Sequence, residues 1–386
     1  MTKNSTFISE TDTKALVRLC GQHVREFLTF LNDPNKPSYF SKGNNPLINL
    51  YKVEPSIIDK ARQFELSPDT YSDNNLVKYG KNVSEAVGHP VRIEVRKVKG
   101  VRGSAQIAVR GVFGVFRDNV LEQIQEHKDY DEKKYYIRLS GNASFEINRK
   151  GVDKALPIQY FFYNWPEVLA MIQYTPGSRI DSSKTSTLIT ADGDGTTFDS
   201  PRLNKAPGLG TSRAYKHLLK YLELGGVYVI ISGNHLDRTV SRVQNFIPQK
   251  VMNRLLIAAN GGANLIYFSQ DGRVKEVLDY RENGLNCKGS RKKRVDLDLI
   301  YIGDDGRLSG NDREAFEAVG ADRAILVAKD KSDDIIPFLE PNYIGGLEAG
   351  TTAVLEFVNQ RAVSKPGEKI FTKSNIDQMV QMARQQ

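Results

Sequence analysis

The chain has 386 residues and a mass of 43.3 kDa; 40% of its residues are hydrophobic and 26% charged. That composition fits a globular chain of about two domains and excludes a disordered chain, a collagen-like repeat and a membrane bundle. The formal charge is +8, with 26 basic and 20 acidic residues in 1–180 against 28 and 26 in 181–386, an excess that fits an anionic ligand and fits nucleic acid less well.

No stretch approaches the ~20 apolar residues that span a bilayer. The polar opening, Met1 to Phe7, lacks the apolar core of a secretory signal. The only cysteines, Cys20 and Cys287, are too far apart to suggest a disulfide scaffold or a cysteine zinc site. A cytoplasmic protein with no membrane partner is therefore expected.

Taken in order, residues 1–12 read as a loose arm. Leu16, Leu19, Cys20, Phe27 and Leu31 share one helical face over Lys14 to Leu31. Three prolines between Asn32 and Pro46 read as an irregular connection, and a short helix is expected over Ser56 to Phe64. Val91, Ile93 and Val95 alternate with charged residues, as half-buried strands do, and Ala105, Ile107 and Val109 repeat the pattern. Asp118 can cap a helix through Val120, Leu121 and Ile124. Tyr135–Leu139 and Ser144–Ile147 flank Gly141-Asn142, the sign of a hairpin. An aromatic run, Tyr160 to Trp165, precedes an expected helix from Pro166 to Gln173. Polar residues from Thr175 to Ser186 suggest a boundary: an α+β domain over 1–180 and a second domain over 181–386. In the second, apolar strands at Thr187–Thr190, Val227–Ile231, Leu255–Ala258, Leu299–Ile302 and Ala324–Val327 alternate with helical patterns. That is the mark of an α/β, Rossmann-like parallel sheet with crossovers, whose ligands sit at the strands' carboxyl ends.

The chemistry gathers at those ends. Leu188-Ile-Thr-Ala-Asp192-Gly-Asp194-Gly-Thr196-Thr197 runs an apolar strand into two aspartates one residue apart. One carboxylate can attack phosphorus while the other handles the leaving-group proton. A carboxylate facing a phosphate dianion needs a screening cation, and Mg²⁺ suits carboxylate and phosphate oxygens. An EF-hand is excluded, because position twelve from Asp192 is Leu203 rather than glutamate. Val227-Tyr-Val-Ile-Ile ends in Ser232-Gly233-Asn234, where a hydroxyl and nearby N–H groups can hold a phosphoryl oxygen. Leu299-Ile-Tyr-Ile-Gly303 ends in Asp304-Asp305 and continues to Ser309-Gly-Asn311-Asp312, oxygen ligands for a hard cation.

Together these motifs resemble those of the haloacid dehalogenase (HAD) superfamily of phosphohydrolases and phosphotransferases, over about Ser186 to Arg361. The resemblance implies Asp192 as the nucleophile that becomes an aspartyl-phosphate and Asp194 as general acid/base. It implies Ser232, with Gly233 and Thr196 beside it, as the phosphoryl-binding positions. Mg²⁺ would be held by Asp192, Asp194 (through its carbonyl), Asp304 and Asp305, with Asp312 as an alternative to Asp305. It also implies a lysine beside the nucleophile, for which Lys288 is chosen over Lys292, Lys293 and Lys250. Ala259-Asn260-Gly-Gly-Ala263, Leu265 to Phe268 and Asp271-Gly272 are similar to the sugar-phosphatase and phosphomannomutase branch. With about 25 residues between Leu278 and Gly303, that branch's large cap is absent or vestigial. Gly303-Asp304, Ser309 to Asp312 and Gly261-Gly262 carry a local resemblance to the IMP-specific 5′-nucleotidases.

The implied function is a Mg²⁺-dependent phosphomonoesterase for a small phosphorylated metabolite, a sugar phosphate or nucleoside monophosphate. The alternatives are a phosphatase or phosphotransferase for a macromolecular phosphate, and a non-catalytic nucleic-acid-binding protein. For the last, Arg92 to Arg117 offers seven basic residues against Glu94.

Overall fold

The computed structural model describes residues 6–31, 92–97, 102–110, 114–128, 130–139, 144–172, 181–182, 185–199, 207–278, 280, 284–285, 292–308, 310–329, 331, 334–364 and 368–384. The expected helix after Pro55, the Gly141-Asn142 turn, Cys287 and Lys288 lie outside them. Two compact units divide the chain, one of Phe7–Lys150 and one of Met1–Thr6 with Gly151–Gln386. The sequence-based boundary at 180 falls later, because the aromatic helix at 155–171 packs with the second unit. Among the described residues no helix is long and apolar enough to cross a membrane.

In the first unit, helix α1 (Glu10–Leu31) starts where the Ser9 hydroxyl accepts the Asp12 N–H at 3.1 Å. Strands β1 (Arg92–Arg96) and β2 (Gln106–Arg110) follow, then α2 (Gly114–Glu126), β3 (Tyr135–Leu139) and β4 (Ser144–Arg149). Helix α2 begins four residues ahead of Asp118, so that residue lies inside the helix and does not cap it. The sheet runs β1-β2-β4-β3, antiparallel throughout. Its alternate residues Ile93, Ile107, Val109, Phe145 and Ile147 form one core with Leu16, Leu19, Cys20, Val120 and Ile124. The opposite face is charged. Glu146, 1% exposed, takes Arg110 at 3.2 Å, and Arg96 and Arg138 at 3.5 Å; Glu94 also pairs with Arg96 and Arg110. Arginines in the basic stretch are thus answered by carboxylates of their own sheet.

The second unit opens with α3 (Ala155–Met171), which contains the whole aromatic run. The sequence suggested a helix only from Pro166. Pro166 has no N–H for the Phe162 carbonyl, so the helix kinks with Asn164 at φ −130°. The freed carbonyl accepts the Val295 N–H at 2.6 Å, and the Asn164 side chain donates to Tyr160 O at 3.0 Å. Tyr160, Phe161, Phe162 and Trp165 are buried, with Tyr160 edge-on to Tyr280.

Beyond α3 come β5 (Thr185–Asp192), α4 (Tyr215–Glu223), β6 (Val227–Ile231), α5 (Leu236–Ser241), β7 (Leu255–Ala259), β8 (Asn264–Phe268), β9 (Val274–Glu276) and β10 (Asp298–Gly303). The unit closes with α6 (Arg313–Val319), β11 (Ala324–Leu326), α7 (Glu348–Ser364) and α8 (Lys373–Arg384). The sheet order is β9-β8-β7-β6-β5-β10-β11, with a two-residue strand, Asp181–Ser182, beside the start of β5. The five expected strands are parallel neighbours. The sheet is nevertheless mixed, which corrects the all-parallel expectation: β8 and β9 run antiparallel. The link from β7 to β8 is the tight turn at Asn260–Gly262, far too short for the dozen or more residues of a parallel crossover. The chain leaves β5 toward β6 on one side and returns through β10 on the other. The carboxyl ends of β5 and β10 are therefore the point where the strand order reverses, which is where sheets of this kind place their ligand crevice.

Asp298, at the other end of β10, ties the C-terminal segment to the sheet. Its carboxylate, 3% exposed, accepts Thr187 Oγ1 at 3.0 Å and the Ile370 and Phe371 N–H groups at 2.9 Å. Asp298→Ala leaves those donors buried without acceptors, so a loss of about 2–4 kcal/mol is expected in a denaturant titration. A change under about 0.5 kcal/mol would contradict this role.

Candidate active site

Asp192 is the last residue of β5, Ser232 follows β6, and Asp304 follows β10. Parallel pairing sets Leu188 to Asp192 beside Val227 to Ile231, and Thr187 to Ala191 beside Asp298 to Ile302. The three motifs therefore end at one edge of the sheet. Gly193 lets two of them touch: a Cβ there would sit 3.2 Å from Ser232 Oγ. Gly303 makes room within the third, since a Cβ would sit 2.6 Å from Asp312 Oδ2. The loops after β6 and β7 are joined by Asn260 N–H to Asn234 O at 2.9 Å and Gly261 N–H to Ser232 O at 3.0 Å.

Asp192, Asp304 and Asp312 each place a carboxylate oxygen within 4.8 Å of the others. Among them lies Lys154, at the start of α3 and 1% exposed. Its Nζ donates to Asp192 Oδ1 and Asp312 Oδ1 at 2.6 Å and to Asn311 Oδ1 at 2.9 Å. Asp312 is fully engaged. Oδ1 also accepts the Tyr301 hydroxyl at 2.7 Å, and Oδ2 accepts the Asp304 and Asp305 N–H groups at 3.2 and 3.1 Å. The Asp304 carboxylate has no hydrogen bond or ion pair among the described residues.

The charges are unequal. Three carboxylates against one ammonium leave a formal −2 in a buried place. Burial pushes the Asp192 carboxyl up to about 7; Lys154 opposes the rise and Asp312 adds to it. Burial, then Asp192 and Asp312, holds Asp304 well above the usual carboxylate range. Tyr301 is likewise pushed well above its ordinary value by burial and Asp312, and stays a neutral donor. A divalent cation cancels the deficit, and hard oxygen donors suit one such as Mg²⁺. The Asp192 and Asp304 carboxylates have lone pairs left to hold it, whereas Asp312 has spent both of its oxygens on Lys154, Tyr301 and the backbone.

The other expected site residues divide. The Asp194 carboxylate accepts Arg242 Nη1 at 2.5 Å and Asn234 Nδ2 at 2.6 Å. Asp305 accepts Arg307 Nε at 2.7 Å and the Asn311 N–H at 3.0 Å. Burial would raise it, but these donors hold it below the usual range. Ser232 is 2% exposed and its oxygen accepts the Asn234 N–H at 3.1 Å. Thr196 is fully buried, and its hydroxyl has no partner among the described residues. Gly233 lies between Ser232 and Asn234 in the same loop. Lys292 is bound to Asn164 and Glu167, and Lys250 to Glu223; both are exposed. Lys293 is exposed too.

Sequence reasoning missed Lys154, Arg242 and Asn234. A signal for Lys154 was present: a lone lysine at the N-terminal end of an apolar helix, where a cation meets the unfavourable end of the helix dipole. A cleft of about 410 Å³ opens between α3 and α6, lined by Phe162, Tyr163, Arg294 and Glu314 among others, with Arg294 stacked on Phe162.

No protein-family model and no curated protein matched the chain.

Two outcomes follow from the charge balance. Lys154→Met should cost about 3–5 kcal/mol in metal-free protein, because it strands buried carboxylates without their cation. The raised carboxyls bind protons that the unfolded chain releases near pH ~4. Their stabilisation is therefore full below that pH and is lost as pH rises through about 7. With chelator present the melting temperature should fall between about pH 5 and pH 8, and Mg²⁺ should raise it more at the higher pH. An equal Mg²⁺ effect at both values would contradict this.

Proposed function

We propose that the chain is a divalent-metal-dependent phosphomonoesterase of the haloacid dehalogenase type, with Asp192 as nucleophile. The observation that carries this reading is the meeting of Asp192, Asp304 and Lys154 at the carboxyl ends of β5 and β10. Lys154 holds Asp192 Oδ1, which leaves Oδ2 to attack phosphorus. As that O–P bond forms, the ester P–O bond breaks, and the leaving oxygen takes a proton from Asp194, which must first exchange its ion pair with Arg242 for that proton. Water then attacks the aspartyl-phosphate and gives a proton to Asp194; inorganic phosphate departs and the Asp192 carboxylate returns. The Lys154 ammonium offsets charge on the phosphoryl group, and the Ser232 hydroxyl has its proton to donate to a phosphoryl oxygen. A Mg²⁺ ion held by Asp192 and Asp304 would add Lewis-acid stabilisation of the same oxygens.

Asp192 is only 6% exposed, so a slim terminal phosphate reaches it more readily than a phosphate flanked by bulky neighbours. That favours small phosphorylated metabolites as substrates. Wild-type protein with Mg²⁺ should hydrolyse p-nitrophenyl phosphate and members of a phosphorylated-metabolite panel, and chelation should stop it. Asp192→Asn should lower turnover by at least ~1000-fold while leaving the melting temperature near that of wild type. Undiminished turnover by Asp192→Asn would remove the nucleophile assignment.

A further inference from the structure

We infer that the cleft between α3 and α6 is a binding site for an ω-amino carboxylate, the separated pair of charges that lysine and ornithine carry. Its carboxylate would meet Arg294 and its ω-ammonium Glu314. The site stands whether or not Asp192 is a nucleophile.

The two helices are bridged at their heads, where Lys154 bonds Asn311 and Asp312 just ahead of α6. Beside that bridge they leave a cleft of about 410 Å³, a volume typical of small-molecule sites. Ala155, Gln159, Phe162 and Tyr163 line it from α3 at the spacing of one helical face. Glu314 and Ala318 line it from α6, and Arg294 from the segment before β10.

Charged side chains around the cleft are mostly paired. Arg313 Nε donates to Glu317 Oε1 and Lys292 Nζ to Glu167 Oε1, both at 2.7 Å, and Arg323 lies 3.5 Å from Asp296. Inside it the pattern changes. Arg294 and Glu314 have no hydrogen bond or ion pair among the described residues, not even with each other. Glu314 Oε2 is shut off from water as well. A carboxylate oxygen buried without a donor carries a cost that an incoming ammonium removes.

Arg294 is nevertheless fixed in place. Its guanidinium carbon lies 4.0 Å from the centre of the Phe162 ring. The next residue, Val295, donates its N–H to the Phe162 carbonyl at 2.6 Å, the carbonyl that Pro166 frees at the kink of α3. With one face on the ring, the guanidinium keeps its N–H edges for a planar carboxylate, which it can grip in two places.

Spacing selects the ligand. Arg294 lies over Phe162, eight residues and so ~12 Å of helix from Lys154. Glu314 is two residues from Asp312, which Lys154 touches. The unpaired charges therefore stand toward opposite ends of the cleft. A simple anion answers only Arg294 and a simple amine only Glu314. Glycine carries both charges on one carbon, too close together to reach both. A carboxylate and an ammonium joined by several methylenes answer the pair, and the apolar stem runs past Phe162 and Ala318.

Calorimetric titration of the full chain tests this at about 150 mM salt, where loose surface pairing is screened. Lysine, ornithine and ε-aminocaproate should bind with Kd of about 1 mM or tighter. Norleucine lacks the ω-ammonium and cadaverine the carboxylate; each should bind at least ~10-fold more weakly. Arg294→Gln and Glu314→Gln should each weaken lysine binding ~10-fold or more. Ala318→Phe, which fills the cleft and leaves both charges, should weaken it as much. No binding of any of the three ω-amino carboxylates would overturn the inference, as would norleucine binding as tightly as lysine, or wild-type affinity in both charge variants. The ligand series needs no variant, so a variant that fails to fold leaves the test decisive.

Discussion

One buried ammonium organises the second unit's acidic edge. Lys154 lies between Asp192 and Asp312 at 2.6 Å from each, and the three side chains come from α3, β5 and the start of α6. Carboxylates this close repel one another, and burial in low dielectric magnifies the repulsion. Lys154 cancels part of it and leaves a residual −2, the charge of one divalent ion. The same contacts explain why Gly303 must be glycine: Asp312 is drawn so near the end of β10 that a side chain there would collide with it.

That arrangement separates two tasks among similar residues. Asp312 spends both oxygens on Lys154, Tyr301 and the backbone, so it acts as an anchor that orients the lysine. Asp305 is likewise engaged, by Arg307 and Asn311. Asp304 has no donor of its own among the described residues, and its carboxylate is compatible with a divalent cation. Asp194 is held by Arg242 and Asn234. Five aspartates within two short segments thus have distinct surroundings, and the surroundings, not the residue type, assign the chemistry.

Much of this was legible in the sequence, for a physical reason. Strands buried on both faces leave continuous apolar runs, so β5, β6, β7, β10 and β11 could be read directly, and the polar residues that end them marked the edge where the carboxylates gather. The antiparallel turn of β8 was not read as a break in the parallel sheet, although the shortness of 260–262 implies it. Helix α3 was half missed because Pro166 looked like a beginning; its effect is a kink that Asn164 and Val295 repair. Lys154 was missed because the search for a lysine ran downstream of Asp192, whereas the fold delivers one from upstream. Sequence order constrains which residues a strand carries, but not which neighbouring element reaches across to them. Arg242 was illegible for a related reason: nothing in Val240 to Val243 distinguishes an inward arginine from a solvated one.

The central claim is that Asp192 itself takes the phosphoryl group. The direct measurement is mass spectrometry of protein mixed with a turned-over phosphate ester and Mg²⁺, quenched in acid within the turnover time and digested. The account predicts a gain of about 80 Da, the mass of one phosphoryl group, on the peptide containing Asp192, removed by hydroxylamine as an acyl phosphate is. Turnover with no such adduct on that peptide, or with the adduct on another residue, would contradict it.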